Sequence, residues 1–167
     1  MRRLPLILAV PLLAACAPTQ PLESVACEGV PQLEQFGRLT DGAAMLDTRG
    51  QAQVTQALVD YEAATGRQLV VATVPTLDGR RVDNYARCLG DRWGIGDAQR
   101  DDGVLVLLAK GERQMRIATG RGAETLLTDD EALAIVKQMT PRFADGQYAD
   151  GLLLGIDAIK DEMGSVR

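Results

Sequence analysis

Carboxylates collect on either side of two apolar runs. Asp101 and Asp102 enter the run VLVLLA at 104–109, while Glu124 and Asp129 follow the run QMRIAT at 114–119, with Gly120 and Gly122 between. Acidic oxygens gathered beside flexible backbone suit a hard divalent cation, which takes several carboxylate and carbonyl oxygens at about 2.3–2.6 Å. The chain contains no histidine. A Ser/His/Asp or Cys/His pair therefore cannot be assembled, histidine phosphatase chemistry is excluded, and a zinc site would have only thiols and carboxylates. Any metal here is expected to be calcium, magnesium or manganese. The same acids also fit a purely structural role: a solvated turn ahead of a buried strand, with Asp129 as a favourable anion at a helix N-terminus, worth about 0.3–1 kcal/mol.

Other chemistries find little support. Gly120-Arg121-Gly122 lacks the third glycine of a dinucleotide fingerprint and reads as a tight exit from a strand. There is no P-loop, and Gly94 stands where a thiolate phosphatase built on Cys88 would need an arginine. Phosphoryl transfer would have to use a metal-activated water. Clustered carboxylates repel a phosphate ester by roughly 1 kcal/mol per pair even in water-like screening, so only a bound cation would reverse that sign. Arg100 and Arg121 read as solvated salt-bridge partners of the neighbouring aspartates rather than as phosphate contacts.

The elements that must position these residues are legible in the patterning. Thr48 and Gln51 predict a capping box, opening a helix with Val54, Leu58 and Tyr61 on one face and Gly66 at its end. Gln68–Val74 is a nearly continuous apolar run closed by Pro75, as in a buried strand. Val82, Tyr85, Ala86, Leu89 and Trp93 mark a second amphipathic helix with Trp93 in the core. The runs at 104–109 and 114–119, joined by a turn at 110–112, predict a hairpin. Thr128 and Glu131 form another capping box, followed by an apolar face of Ala132, Leu133, Val136 and Met139, with Pro141 just past the helix end. The last helix spans about 147–163 on a stripe of Leu152, Leu153, Ile156 and Ile159. Gly151 and Gly155, each costing about 1 kcal/mol of helix propensity, allow close packing there. Strand, helix and strand in succession imply a right-handed parallel crossover, so the fold class is an α/β sandwich with a small mixed sheet. In the hairpin, Asp101 and Asp102 should neighbour Gly120–Glu124.

The N-terminus, MRRLPLILAVPLLAAC, has the basic, apolar and small-residue regions of a secretory signal over residues 1–15. It is shorter than the roughly 20 apolar residues of a membrane span. Leu13-Ala14-Ala15-Cys16 resembles a bacterial lipobox, which makes Cys16 the expected lipidation site and ties the protein to the membrane through its N-terminal lipid. Ala17 after it resembles outer-membrane sorting, and the expected location is the cell envelope, facing the periplasm. Residues 16–37 read as the lipidated cysteine and a proline-containing tether, and residues 38–164 as one domain. In an exported protein Cys27 and Cys88 are expected to pair; Cys88 lies on the flank of its helix, where an N-terminal segment crossing the surface could reach it. The alternative is two unrelated thiols. With 18 basic and 23 acidic side chains the chain has a net charge of −5, which argues against nucleic acid as a partner.

Several stretches together resemble the TPM domain, a family found in thylakoid-lumen, photosystem-repair and nematode receptor-auxiliary proteins and in bacterial envelope proteins. They are TGRQLVVATVPTLDG at 65–79, NYA at 84–86, WGIG at 93–96, RDDGVLVLLA at 100–109, RQMRIATGRGAETLLTD at 113–129 and PRFADGQYADGLLLGIDAI at 141–159. The resemblance implies a three-layer α/β/α sandwich, usually exported, for which calcium binding and an acid-phosphatase-like activity have been proposed. Asp102 stands where asparagine is common, Arg121 replaces the usual tyrosine, and Thr125 replaces the glycine after Glu124. Carried onto this chain, the resemblance implies a divalent cation, calcium first, at Asp101, Asp102, Glu124 and Asp129, in a lipid-anchored accessory domain that engages an envelope protein partner. The alternative it implies is a metal-dependent acid phosphatase acting on phosphate monoesters.

Overall fold

The computed structural model describes residues 27–164; the expected signal peptide, Cys16 and the first part of the tether lie outside the described residues. Four strands, β1 (Leu39–Asp41), β2 (Leu69–Val74), β3 (Val104–Ala109) and β4 (Gln114–Thr119), form one sheet in the order β1-β2-β3-β4. β1 and β2 pair in parallel, as do β2 and β3, and β4 returns antiparallel to β3 with Val104 opposite Thr119 and Ala109 opposite Gln114. The predicted crossover and hairpin are therefore both present. Every residue of β2 and β3 is buried, which is why their sequences are continuous apolar runs rather than alternations.

Four helices cover the sheet: α1 (Thr48–Thr65), α2 (Val82–Trp93), α3 (Asp129–Ala144) and α4 (Tyr148–Met163). α1, α3 and α4 share one core with Leu69, Val71, Val104, Val106 and Ile117. α2 packs alone on the other face, against Val70, Ala72, Leu105 and Leu107. This is the expected three-layer α/β/α sandwich. A helix is about 10 Å across, while four strands spaced about 4.8 Å apart present a wider face, so α2, which runs closest to β4 and β3, cannot cover its whole face.

Residues 27–37, the later part of the segment read as a tether, lie on the flank nearer β1 and β2. Val30 is buried, Leu33 packs in the same core, and α2 and the turn before it hold the backbone there. Arg92 donates to the Pro31 carbonyl at 2.9 Å, the Trp93 indole to Leu33 O at 2.9 Å, and Arg80 to Gly29 O at 2.7 Å. A disulfide joins Cys27 to Cys88 on α2, with the Cα atoms 5.4 Å apart. Trp93 is half-buried, its ring on the core and its N–H on this segment.

Local differences from the sequence reading have local causes. α1 opens one residue early, because Asp47 Oδ1 accepts from Gly50 N at 2.7 Å and supplies the cap; Gln51 instead donates to Leu46 O at 3.3 Å. Gly66 ends that helix in the left-handed region, as expected. The Thr128–Glu131 capping box is present. Pro141, however, lies inside α3, which continues to Ala144, and Leu133 is 50% exposed while Ile135 takes its place in the core. A Cβ on Gly151 would strike the Phe143 ring and one on Gly155 would strike the Met139 thioether, so both glycines are needed for α4 to approach α3. β1 was not anticipated. It has only three residues and exists by adding to the edge of β2.

The disulfide closes a loop with a sequence separation of 61, which in the chain-entropy model is worth about 4 kcal/mol. The double substitution Cys27→Ala/Cys88→Ala is expected to lower the urea unfolding free energy by up to that amount, and alkylation of the unreduced native protein should label neither cysteine.

Candidate functional site

The other flank of the α2 face, beside β4, is an open groove of about 850 Å³. Leu105 and Ala118 contribute apolar floor, and the loops at 94–103 and 119–124 close one end. Those loops interlock through the main chain: Gly120 N donates to Gly103 O at 2.9 Å and Gly122 N to Asp101 O at 2.8 Å. A Cβ at Gly120 would meet Asp101 O, and one at Gly122 would meet Arg100 O. The glycines of the GRG stretch therefore allow close backbone contact. As the hairpin topology required, Asp101 neighbours Gly120–Gly122.

The two consecutive aspartates part company. Asp101 has φ +49, its N–H donates to Asp97 O at 2.7 Å, and its half-exposed carboxylate at the groove accepts from Arg121 Nε at 3.1 Å. Asp102 is 3% exposed and does not line the groove. Its Oδ1 accepts from Asp97 N at 3.1 Å and its Oδ2 from Arg100 Nε at 2.7 Å, with Arg67 Nε at 3.7 Å. Burial pushes the Asp102 carboxyl up, but the Arg100 guanidinium and the Asp97 N–H outweigh it and hold the group below its ordinary value. In the core, burial pushes the Tyr61 hydroxyl up to about 12, with the Asp102 charge adding to the shift.

Glu124 and Asp129 also border the groove. Asp129 accepts from Arg116 Nη2 at 2.6 Å, and both ends of that pair are exposed, so it contributes little to stability. Asp101, Glu124 and Asp129 thus share one groove, while Asp102 is turned into the protein. Among the described residues no group of three or more acidic or cysteine side chains is arranged to hold a metal ion. The oxygen donors at the lip, Asp101 and Glu124, suit a hard cation by chemistry; the four carboxylates do not form a cage around one.

Sequence reasoning overlooked Arg81, Arg87 and Arg116, which also line the groove; Arg81 donates to the Asp83 carboxylate at 3.1 and 2.8 Å, as Arg116 does to Asp129. Arg116 had a usable signal, since it alternates with the buried Ile117 in β4 and must face the opposite side. Asp97 was also overlooked: its carboxylate accepts from Gln99 N and Arg100 N, both at 3.0 Å, and these backbone bonds hold its pKa down. Asp41 at the end of β1 is structural. It accepts from Thr73 Oγ1 at 2.5 Å and from the backbone of Met45 and Leu46 at 3.0 Å, and these bonds overcome burial to lower its pKa.

The family model described as the TPM domain matches residues 39–162. Among solved structures, the N-terminal domain of a protein from P. gingivalis superposes with a TM-score of 0.69 at 26% identity, covering 75% of this chain and 81% of that one. The N-terminal domain of the cg2496 protein from Corynebacterium glutamicum gives 0.63 at 18% identity, covering 82% and 86%. The BA42 protein from the psychrophilic bacterium Bizionia argentinensis also gives 0.63 at 18%, covering 79% and 84%. No curated protein matches. Among the described residues no helix is long and apolar enough to cross a membrane.

Asp102→Asn leaves Arg100 and Arg67 facing a neutral amide and is expected to cost about 1–3 kcal/mol in urea unfolding. The depressed carboxyls of Asp102 and Asp41 bind protons more readily unfolded than folded. Their stabilisation is therefore complete above the unfolded value near 3.8 and is lost as pH falls through the lower folded values. Acid titration of stability should show this loss, and Asp102→Asn should reduce it.

Proposed function

The chain belongs to the TPM domain family, and from that premise we propose that it is an exported, lipid-anchored accessory domain of the bacterial cell envelope that binds a hard divalent cation, calcium first, and engages a protein partner at the groove beside α2. The observation that carries this reading is the placement of Asp101: a half-exposed carboxylate on a loop fixed by main-chain hydrogen bonds, with Glu124 on the same groove. Asp101 and Glu124 would hold the ion. Asp102 and Asp129 would position the loops through Arg100 and Arg116. A cation would supply positive charge at the lip and compete with Arg121 for Asp101. Cys16 would carry the lipid, and the Cys27–Cys88 bridge would fix the start of the folded domain.

The groove arginines favour one second reading. Arg87, with Arg81 and Arg116 if a phosphate displaced Asp83 and Asp129 from them, would offset the repulsion of a phosphate monoester by the acids, so a metal-dependent acid phosphatase is the alternative. Turnover of a chromogenic phosphate ester that requires divalent metal and disappears in Asp101→Asn would establish it.

Thermal melting in calcium against chelator tests the leading reading. Calcium at 100 times its dissociation constant should stabilise the native protein by about 2.7 kcal/mol, Asp101→Asn should remove that gain without altering the melt in chelator, and Arg121→Gln should preserve it or increase affinity. No shift at millimolar calcium would overturn the cation site.

A further inference from the structure

A second cavity, of about 430 Å³, lies at the opposite end of the β3–β4 hairpin. Met45, Met115, Val136, Phe143 and Tyr148 line it, all partly buried side chains on the edge of the larger core. Phe143 and Tyr148 stand 5.8 Å apart with their rings tilted by 32°, and the two methionines give the wall an adaptable surface. The volume falls within the range of small-molecule sites, about 300–1,000 Å³.

The charged side chains that line this cavity have one sign; Glu112, in the same turn, accepts from Thr76 and Leu77 instead. Lys110 and Arg113 line it and no carboxylate does, although the chain as a whole has a net charge of −5. Lys110 uses one hydrogen bond on Ala43 O at 3.1 Å, and an ammonium has three donors. Arg113 is exposed and makes no side-chain hydrogen bond or ion pair within the described residues. The groove beside α2 differs on both counts, since it mixes carboxylates with arginines and is larger.

We propose that this cavity binds a free single-chain anionic amphiphile, its carboxylate or similar head between Lys110 and Arg113 and its apolar tail against Met45, Met115, Val136 and Phe143. Cations alone would suit a small anion and an apolar wall alone would suit any hydrophobe. The combination selects a molecule carrying both. The site is separate from the proposed cation site and does not depend on it.

Titration of the purified chain with decanoate, decanol and decyltrimethylammonium, each below its micelle concentration, tests the proposal by calorimetry and by NMR of the methionine methyls. Decanoate is expected to bind saturably at one site and to shift Met45 and Met115, with decanol weaker and the cationic amphiphile weakest. Lys110→Gln/Arg113→Gln should weaken decanoate by about tenfold or more, and Arg113→Gln alone, at an exposed position whose side chain makes no hydrogen bond or ion pair within the described residues, should weaken it while leaving the melting temperature near that of the parent. Met115→Trp should block the cavity and abolish binding. Equal affinity for the cationic and anionic amphiphiles, non-saturable uptake, unchanged affinity in the Lys110/Arg113 variant, or saturable binding that leaves the Met45 and Met115 methyls unshifted would each overturn it.

Discussion

Strands β2 and β3 have apolar side chains on both faces, so neither face can be left in water. That requirement organises the molecule. Three helices complete one core. On the other face a single helix is narrower than the sheet, and its two flanks are resolved differently. Near β1 and β2 the segment 27–37 is drawn across and tied to α2 by hydrogen bonds and the Cys27–Cys88 bridge. Beside β4 no segment among the described residues fills the space, and the groove results.

The acidic loops at the groove are stabilised by pairing rather than by separation. Asp102, Asp101 and Asp129 each face an arginine, respectively Arg100, Arg121 and Arg116. These pairs differ in kind. Asp102 is buried, so losing its partners would strand a charge in low dielectric, whereas the other two pairs are exposed and readily exchanged. The first gives the loop its shape; the others leave charge available at the surface. A hairpin also has two ends, and here the cavities beside them differ in charge: one is lined by acids and arginines in mixture, the other by Lys110 and Arg113 with an apolar wall, the Glu112 carboxylate of that turn being bonded to Thr76 and Leu77.

What patterning could reveal was what depends on neighbours within a few residues. Periodicity located β2, α2 and the hairpin. The Thr128–Glu131 box and Gly66 fixed helix ends because caps are made by adjacent backbone. The facing of Asp101 toward Gly120–Gly122 followed from the hairpin, which needs no long-range information beyond its turn. Errors arose where a longer contact decided the matter. Pro141 by type would end a helix, yet α3 runs through it because its apolar face packs on the sheet and on α4. The expected face buries Ala132 and Met139, yet the orientation of α3 turns Leu133 outward and buries Ile135 in its place.

The amino-acid sequence by itself determined the order of the elements from α1 onward, the mixed sheet and the exclusion of histidine chemistry, since these depend on residue type and spacing alone. Tertiary structure decided the rest. β1 exists because the edge of β2 offers it hydrogen bonds, which three residues could not secure unaided. Asp101 faces the groove and Asp102 the interior because the backbone turns at φ +49 between them and because Arg100 and Arg67 meet Asp102 there. No spacing rule distinguishes two adjacent aspartates; the arginines that do so reach them only in the folded chain.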